Sequence, residues 1–392
     1  MASPVTRTAI LWLEPDQLNL LQRIVADAGL RVVGVGSPVL GRAAELAAAF
    51  DAHALPLDDL RQALTSVEGD LFLLASIGDF GRTRHAASAS GTTAHTGIDD
   101  CLVLDQRRNR GTLIVSFEPL PASILDLAMP APSGGVGLPV GSSDAEQAGV
   151  VLGQQSSSPV LPVTSAVAHW AAFIPLFRLG PSMRAAADVI AHLGPLHTVA
   201  AEFVSGAGEG PVGSRVFDAV EAITSLLGEP DSVDASYVWP GRGKVVHPVP
   251  DDSLRGLQGA IAASMRYADG RAATLLAADS HVGSGRWSRT LTMIGDGGRL
   301  RVHDRGFEFV SADGKIVDRS AELLQAHTND ESAAASLFAH QLNALLDPHT
   351  AGRQDQPIDY ARVLSVAGAA LLSARTAEPE SPGTILRMAR TT

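Results

Sequence analysis

The sequence predicts an α/β, Rossmann-like amino-terminal domain followed by an α+β domain built on a large, mostly antiparallel sheet. Three observations carry that expectation. Apolar strand-like runs alternate with helical spacing through the first ~120 residues, the pattern of a doubly wound parallel sheet. A stretch dense in Gly, Pro and Ser, Met129 to Pro162, then interrupts all periodicity. Beyond it, strand-like runs are separated by Ala268-Asp269-Gly270 and Gly295-Asp296-Gly297-Gly298, tight-turn signals that imply hairpins and antiparallel pairing.

With 392 residues the chain suits two domains. The divisions read as 1–128 for the Rossmann-like domain, 129–162 for a linker or flap, and 163–392 for the α+β domain. A composition 45% hydrophobic and 18% charged is that of a globular protein with ample core. The net charge of -12 argues against nucleic acid or an anionic membrane surface as partner. Cys101 stands alone, which rules out an internal disulfide and a multi-cysteine metal site. No apolar run reaches the ~20 residues of a membrane span, and the short run Ala9 to Leu13 ends at Glu14, so a cytoplasmic protein is expected.

Taken in order, Thr8 to Leu13 reads as a strand, and Leu18, Leu21, Ile24 and Val25 give Gln17 to Ala28 the spacing of a helix closed by Gly29. Leu30 to Val35 is a second strand and the Ala-rich Gly41 to Phe50 a second helix. Leu57 to Leu64 reads as a short helix capped by Asp58, followed by the strand Leu71 to Ala75. Gly78 to Gly97 is small, polar and aperiodic, a loop or weak helix; Ile98 to Asn109 is a helix and Thr112 to Phe117 a buried strand. After the bridge come a helix over Met183 to His192 and strands over His197 to Val204, Ser232 to Val238, Gly259 to Tyr267, Arg271 to Ser280, Arg289 to Ile294, Gly298 to Val302 and Phe307 to Ser311. Two closing helices run over Glu331 to Leu346 and Asp359 to Ala374.

Two places carry candidate chemistry. Pro119 ends the strand Thr112 to Phe117 and leaves Glu118 at its carboxyl end, where open α/β sheets bind ligands. The helix Gly213 to Leu227 has a core stripe of Val216, Val220, Ile223 and Leu227, with Ser214, Asp218, Glu221 and Ser225 on another face. Three carboxylates in one cleft, Glu118, Asp218 and Glu221, would raise one another's pKa and suit acid/base work or a divalent cation. In such a cleft Asp218→Asn would relieve repulsion and stabilise the protein. His169, His197, His247 and His281 lack metal-ligand spacing, and Trp170, Trp239 and Trp287 read as core or interface residues.

The pieces FEP at Phe117 to Pro119, SRVFDAVEAITSLLGEP at Ser214 to Pro230, RYADG at Arg266 to Gly270 and GRWSRTLTMIGDGGRLRV at Gly285 to Val302, in that order and spacing, resemble the Gfo/Idh/MocA oxidoreductase family. The resemblance spans nearly the whole chain apart from Gly78 to Gly97 and the flap. It implies a two-domain enzyme that moves hydride between NAD or NADP and a sugar, a polyol or a related small molecule. It also implies a homodimer or homotetramer formed through the open sheet face, a use that the apolar strands around Leu275, Leu291 and Met293 suit.

This chain departs from the family pattern at its functional positions. The family's G-x-G-x-x-G is replaced by Trp12-Leu13-Glu14-Pro15-Asp16-Gln17, where side chains block the backbone and two carboxylates repel a diphosphate. The ribose-binding acid gives way to Gly36, followed by Ser37, with Arg42 as a partner for a 2′-phosphate; Leu13 and Ser76 complete the cofactor-side set. Nucleotide binding is therefore expected to be absent or weaker than in the family. The lysine of E-K-P becomes Glu118, and the acid/base histidine of D-x-x-x-H-x-x-D becomes Asp218, between Ser214 and Glu221. Arg178, and secondarily Arg215, suit an anionic or polyhydroxylated ligand. Alternatives to a working oxidoreductase are an inactive ligand-binding or partner subunit, and a non-redox lyase or hydrolase using the carboxylates.

Overall fold

The structure is a computed structural model. It describes residues 7–78, 80, 97–127, 171–206, 209–239, 249–279, 288–320, 330–347 and 358–391. The expected flap 129–162, most of the loop Gly78 to Gly97, His169, Trp170, His247, His281 and Trp287 lie outside these residues, as does the side chain of Cys101.

Among the described residues, the first sheet is built from β1 (Thr8–Trp12), β2 (Arg31–Gly36), β3 (Leu55–Leu57), β4 (Leu71–Leu74), β5 (Leu113–Ser116) and β6 (Ala172–Phe173), in the order β3-β2-β1-β4-β5-β6 and all parallel. Its central strands are apolar at nearly every position because both faces are covered; Ala9, Ile10, Leu11, Leu71, Phe72, Leu73 and Leu74 are fully buried. The helices α1 (Leu18–Ala28), α2 (Ala43–Phe50), α3 (Leu60–Ser66) and α4 (Gly97–Asn109) connect them, and α5 (Ile124–Leu127) follows β5. Helix α1 ends at Gly29 in the left-handed conformation, as its sequence predicts. The third helix starts later than expected. The carboxylate that caps it is Asp59, which accepts from Arg61 N and Gln62 N, and Leu55–Leu57 ahead of it are released to form edge strand β3. Strand order reverses between β1 and β4, so the crevice of this sheet lies at their carboxyl ends.

The second sheet has the order β14-β13-β12-β11-β7-β10-β9-β8. Its strands are β7 (Leu196–Ser205), β8 (Ser232–Val238), β9 (Ala260–Arg266), β10 (Ala272–Asp279), β11 (Ser288–Gly295), β12 (Gly298–His303), β13 (Gly306–Ser311) and β14 (Ile316–Arg319). Only the β7–β10 pair is parallel. One face is buried by α8 (Val212–Leu227), which packs on β7 and β10, and by α10 (Tyr360–Thr376), which packs on β8 and α8. Leu275, Leu291 and Met293 belong to this inner face, at 3%, 0% and 0% exposure, so they cannot form the oligomer-facing surface expected of them.

Three elements differ from expectation. The helix over Met183 to His192 is two pieces, α6 (Pro181–Ala185) and α7 (Ala187–His192), that meet at Ala186. A third closing helix, α11 (Pro382–Thr391), follows α10 and turns Ile385 and Ala389 inward. Helix α9 (Asp330–Leu346) packs on α1, and its Ala334, Ala335, Leu337, Phe338 and Leu342 share a core with the first sheet. The Phe338 and Phe117 rings stand 4.3 Å apart.

Candidate functional site

At the crevice of the first sheet the chain leaves β1 through Leu13, which is fully buried, and makes a single 3-10 turn, Pro15–Gln17, before α1. Gln17 is 5% exposed and ties the turn down: its Oε1 accepts from Glu14 N at 2.9 Å and its Nε2 donates to Ala75 O at 3.0 Å. Ser76 Oγ donates to Glu14 Oε1 at 2.8 Å, while Asp16 is exposed. At the end of β2, a Cβ on Gly36 would lie 2.2 Å from the Trp12 ring and 2.7 Å from Leu57 O, so the indole lies directly against the glycine. Ser37 Oγ accepts from Val39 N at 3.1 Å, and Arg42 forms an exposed pair with Glu45 at 3.2 Å.

Glu118 stands at the end of β5, 6% exposed, and accepts from Ile77 N at 3.1 Å. Burial pushes its carboxyl above the usual carboxylate range; the Ile77 N–H and the Arg255 charge oppose this, and Glu14 adds to it. Arg255 comes from the segment before β9, which is anchored by Leu254 N donating to Ala122 O at 3.0 Å. Gly210, with φ of 100°, lies where a Cβ would meet Phe117 O at 3.5 Å and Ser214 Oγ at 3.6 Å. That close approach brings the end of β5 beside the start of α8.

Helix α8 is buried on nearly every side, because the sheet, α10 and the segment around Phe173 all pack on it: the Phe217 ring is 5.3 Å from Tyr360 and 5.0 Å from Phe173. Its charged residues are consequently paired inside the protein. Asp218 Oδ1 accepts from Phe177 N at 2.7 Å, and Oδ2 accepts from Arg289 at 2.6 Å, with both side chains fully buried. Arg289 also donates to Pro175 O at 2.9 Å and to Asp304 at 2.7 Å, beneath the rings of Phe177 and Phe203. Glu221 Oε1 accepts from Arg178 Nε at 2.7 Å. Burial raises the Glu221 carboxyl to about 7, against the pull of Arg178. Arg215, fully buried, donates to Glu209 O at 2.9 Å, and burial lowers its pKa to about 10. Among the described residues, Ser214 Oγ and Glu221 Oε2 are buried without a hydrogen-bond partner.

The residues singled out from sequence thus fall into two groups. Glu14, Ser76 and Glu118 meet at the crevice; Asp218, Glu221, Arg178, Arg215 and Ser214 meet around α8. The expected three-carboxylate cluster is not formed: the charges acting on Glu118 are Arg255 and Glu14, whereas those acting on Asp218 are Arg289 and Arg215. Asp218→Asn would weaken a buried ion pair rather than relieve repulsion, so its expected effect on stability has the opposite sign. Sequence reasoning missed Arg289, Asp304, Glu209 and Arg255. Arg289 was detectable, because it shares strand parity with the inward Leu291 and Met293. His197 forms an exposed pair with Asp296 at 2.7 Å, and Trp239 is exposed. Among the described residues no group of three His, Cys, Asp or Glu could hold a metal ion, and no helix is long and apolar enough to cross a membrane.

The β1–α1 turn does not fit a dinucleotide bound through its diphosphate. Glu14 puts a carboxylate where that group would approach, Pro15 removes a backbone donor, and the Trp12 ring covers the end of β2.

No protein-family model and no curated protein sequence matches the chain. Solved structures do. An oxidoreductase from Agrobacterium radiobacter, in complex with NAD+, L-tartaric acid and magnesium, is 11% identical at a TM-score of 0.61 over 97% of this chain and 100% of its own. Levoglucosan dehydrogenase with NADH and levoglucosan is 12% identical, TM-score 0.59, over 96% and 99%. Scyllo-inositol dehydrogenase from Lactobacillus casei, with NAD(H) and scyllo-inositol, is 15% identical, TM-score 0.57, over 96% and 99%. The order of the parallel sheet, the large mixed sheet and the near-complete coverage of these dehydrogenases together give this chain the two-domain fold of the Gfo/Idh/MocA-type oxidoreductases.

Proposed function

We propose that this chain is an oxidoreductase-type protein that takes a sugar, a polyol or a related small molecule where the carboxyl edge of the first sheet meets α8. The observation that carries this is the approach of β5 to α8 at Gly210, which sets Glu118 near Ser214 within a frame shared with sugar and polyol dehydrogenases. Glu118, whose burial favours the protonated form, is the acid/base group of this site. Ser214 Oγ and Glu221 Oε2, buried and without a hydrogen-bond partner among the described residues, are the groups left to bond ligand hydroxyls, with Arg178 and Arg215 as flanking cations. Asp218 positions Arg289 and the Phe177 backbone and touches no ligand. A nicotinamide nucleotide as the redox partner is supported by the NAD(H) of the similar structures. The β1–α1 turn does not fit that nucleotide's diphosphate, so the roles assigned to these residues are ligand binding and proton transfer alone.

One observation favours a second reading, a ligand-binding or partner subunit without redox chemistry: the nucleotide side of the crevice is filled by the chain's own residues. Incubating the protein with NADH or NADPH and a set of ketoses, inososes and polyols, and following nucleotide absorbance alongside thermal stabilisation, separates the two. Turnover that Glu118→Gln abolishes supports the oxidoreductase. Sugar or polyol stabilisation without turnover supports the binding protein, and neither signal removes the proposed ligand class.

A further inference from the structure

We infer that Trp12 is a built-in plug of the adenosine side of the crevice, so that a nicotinamide nucleotide binds this chain only as the indole is displaced. In a doubly wound sheet the diphosphate sits at the turn after β1, and the adenosine ribose is held at the end of β2. Here Trp12 is the last residue of β1 and Gly36 the last of β2, paired side by side in the parallel register. An added Cβ on Gly36 would lie 2.2 Å and 2.3 Å from two carbons of the Trp12 six-membered ring. A glycine at the ribose position therefore serves here to admit the chain's own aromatic ring. The ring is not loosely held: Trp12 is 4% exposed and packs with Ile10, Leu60, Phe72, Leu74 and Ile77.

The neighbouring turn closes the diphosphate side by a separate device. Gln17 bonds Glu14 N and Ala75 O, and Ser76 holds the Glu14 carboxylate in place, so a negative charge is fixed beside the helix start. Steric and electrostatic exclusion thus act on adjacent parts of the same ligand. The two are separable, because salt screens the charge term and leaves the indole untouched.

The inference rests on the oxidoreductase-type fold but not on turnover. Calorimetric titration of the full chain with NADH, NADPH and ADP-ribose tests it. The unaltered protein is expected to show no saturable low-micromolar binding of any of the three. Trp12→Ala should tighten ADP-ribose and NADH at least about tenfold, and Glu14→Gln by a smaller factor that shrinks as salt is added. Trp12→Leu, which keeps an apolar side chain in the strand, carries the test if circular dichroism shows that Trp12→Ala does not fold. Low-micromolar NADH binding by the unaltered protein would overturn the plug while leaving the oxidoreductase intact. Folded Trp12 variants that bind no more tightly than the unaltered protein would overturn it as well, since something other than the indole would then exclude the nucleotide.

Discussion

Replacing Arg289 by Met is expected to cost about 3–5 kcal/mol of stability, the range for removing one partner of a buried ion pair. The structure sets that magnitude. Both Arg289 and Asp218 side chains are at 0% exposure, so the stranded carboxylate has no water to turn to. Asp304, at 11%, reaches solvent and loses less. Pro175 O also loses its 2.9 Å donor. Asp218→Asn is milder, about 1–3 kcal/mol, because the amide oxygen still accepts from Phe177 N or Arg289. Combining the two changes removes both charges, so the double variant should be less destabilised than the sum of the singles by about 1–3 kcal/mol. The pH dependence has a defined sign. Without Arg289, the folded-state pKa of Asp218 rises further above its unfolded value, so the deficit shrinks as pH falls through it. Urea unfolding of the four proteins, followed by circular dichroism at neutral and mildly acidic pH, measures all of this. Additive single effects, or an Arg289→Met cost below about 1 kcal/mol, would refute the view that this pair is a desolvated, mutually dependent unit.

The carboxyls of Glu209 and Glu221, both raised by burial to about 7 from 4.5, make the folded protein hold protons that the unfolded chain releases. Stability should therefore fall as pH rises from 4.5 to about 7, and Glu221→Gln should flatten that slope in urea melts taken across the window. Gly36→Ala forces a methyl against the Trp12 ring and should cost about 1–3 kcal/mol, of which Trp12→Leu in the same chain should restore the part not due to Leu57 O. Phe338→Ala, fully buried against Phe117, should cost about 3–5 kcal/mol in thermal or urea unfolding.

The central strands were legible because burial on both faces leaves an uninterrupted apolar run, as at Leu71 to Leu74. The edges were not: β3 and β14 have exposed positions throughout or nearly so, and such strands leave no alternation to read. The site was half legible. Periodicity put Ser214, Asp218 and Glu221 on one face of α8 but could not give its depth, and all three are buried. Reading it as a cleft followed from treating polar as solvated, whereas here polarity marks buried ion pairs. Trp12 against Gly36 was invisible because it joins two strand ends through tertiary packing, although the missing phosphate-loop glycines were plain in the sequence itself.

The return of α9 to the first sheet has a consequence for how the chain is made. The surface of β5 and α1 that Phe338 and its neighbours cover is complete on the ribosome about two hundred residues before α9 emerges. At a synthesis rate of ~5–20 residues per second, that apolar surface stays uncovered for roughly 10–40 s. The first sheet therefore cannot finish folding as an independent early unit. It waits on the second sheet, and a ribosome stalled between the two would hold a nascent chain with its core open, a natural target for holding chaperones.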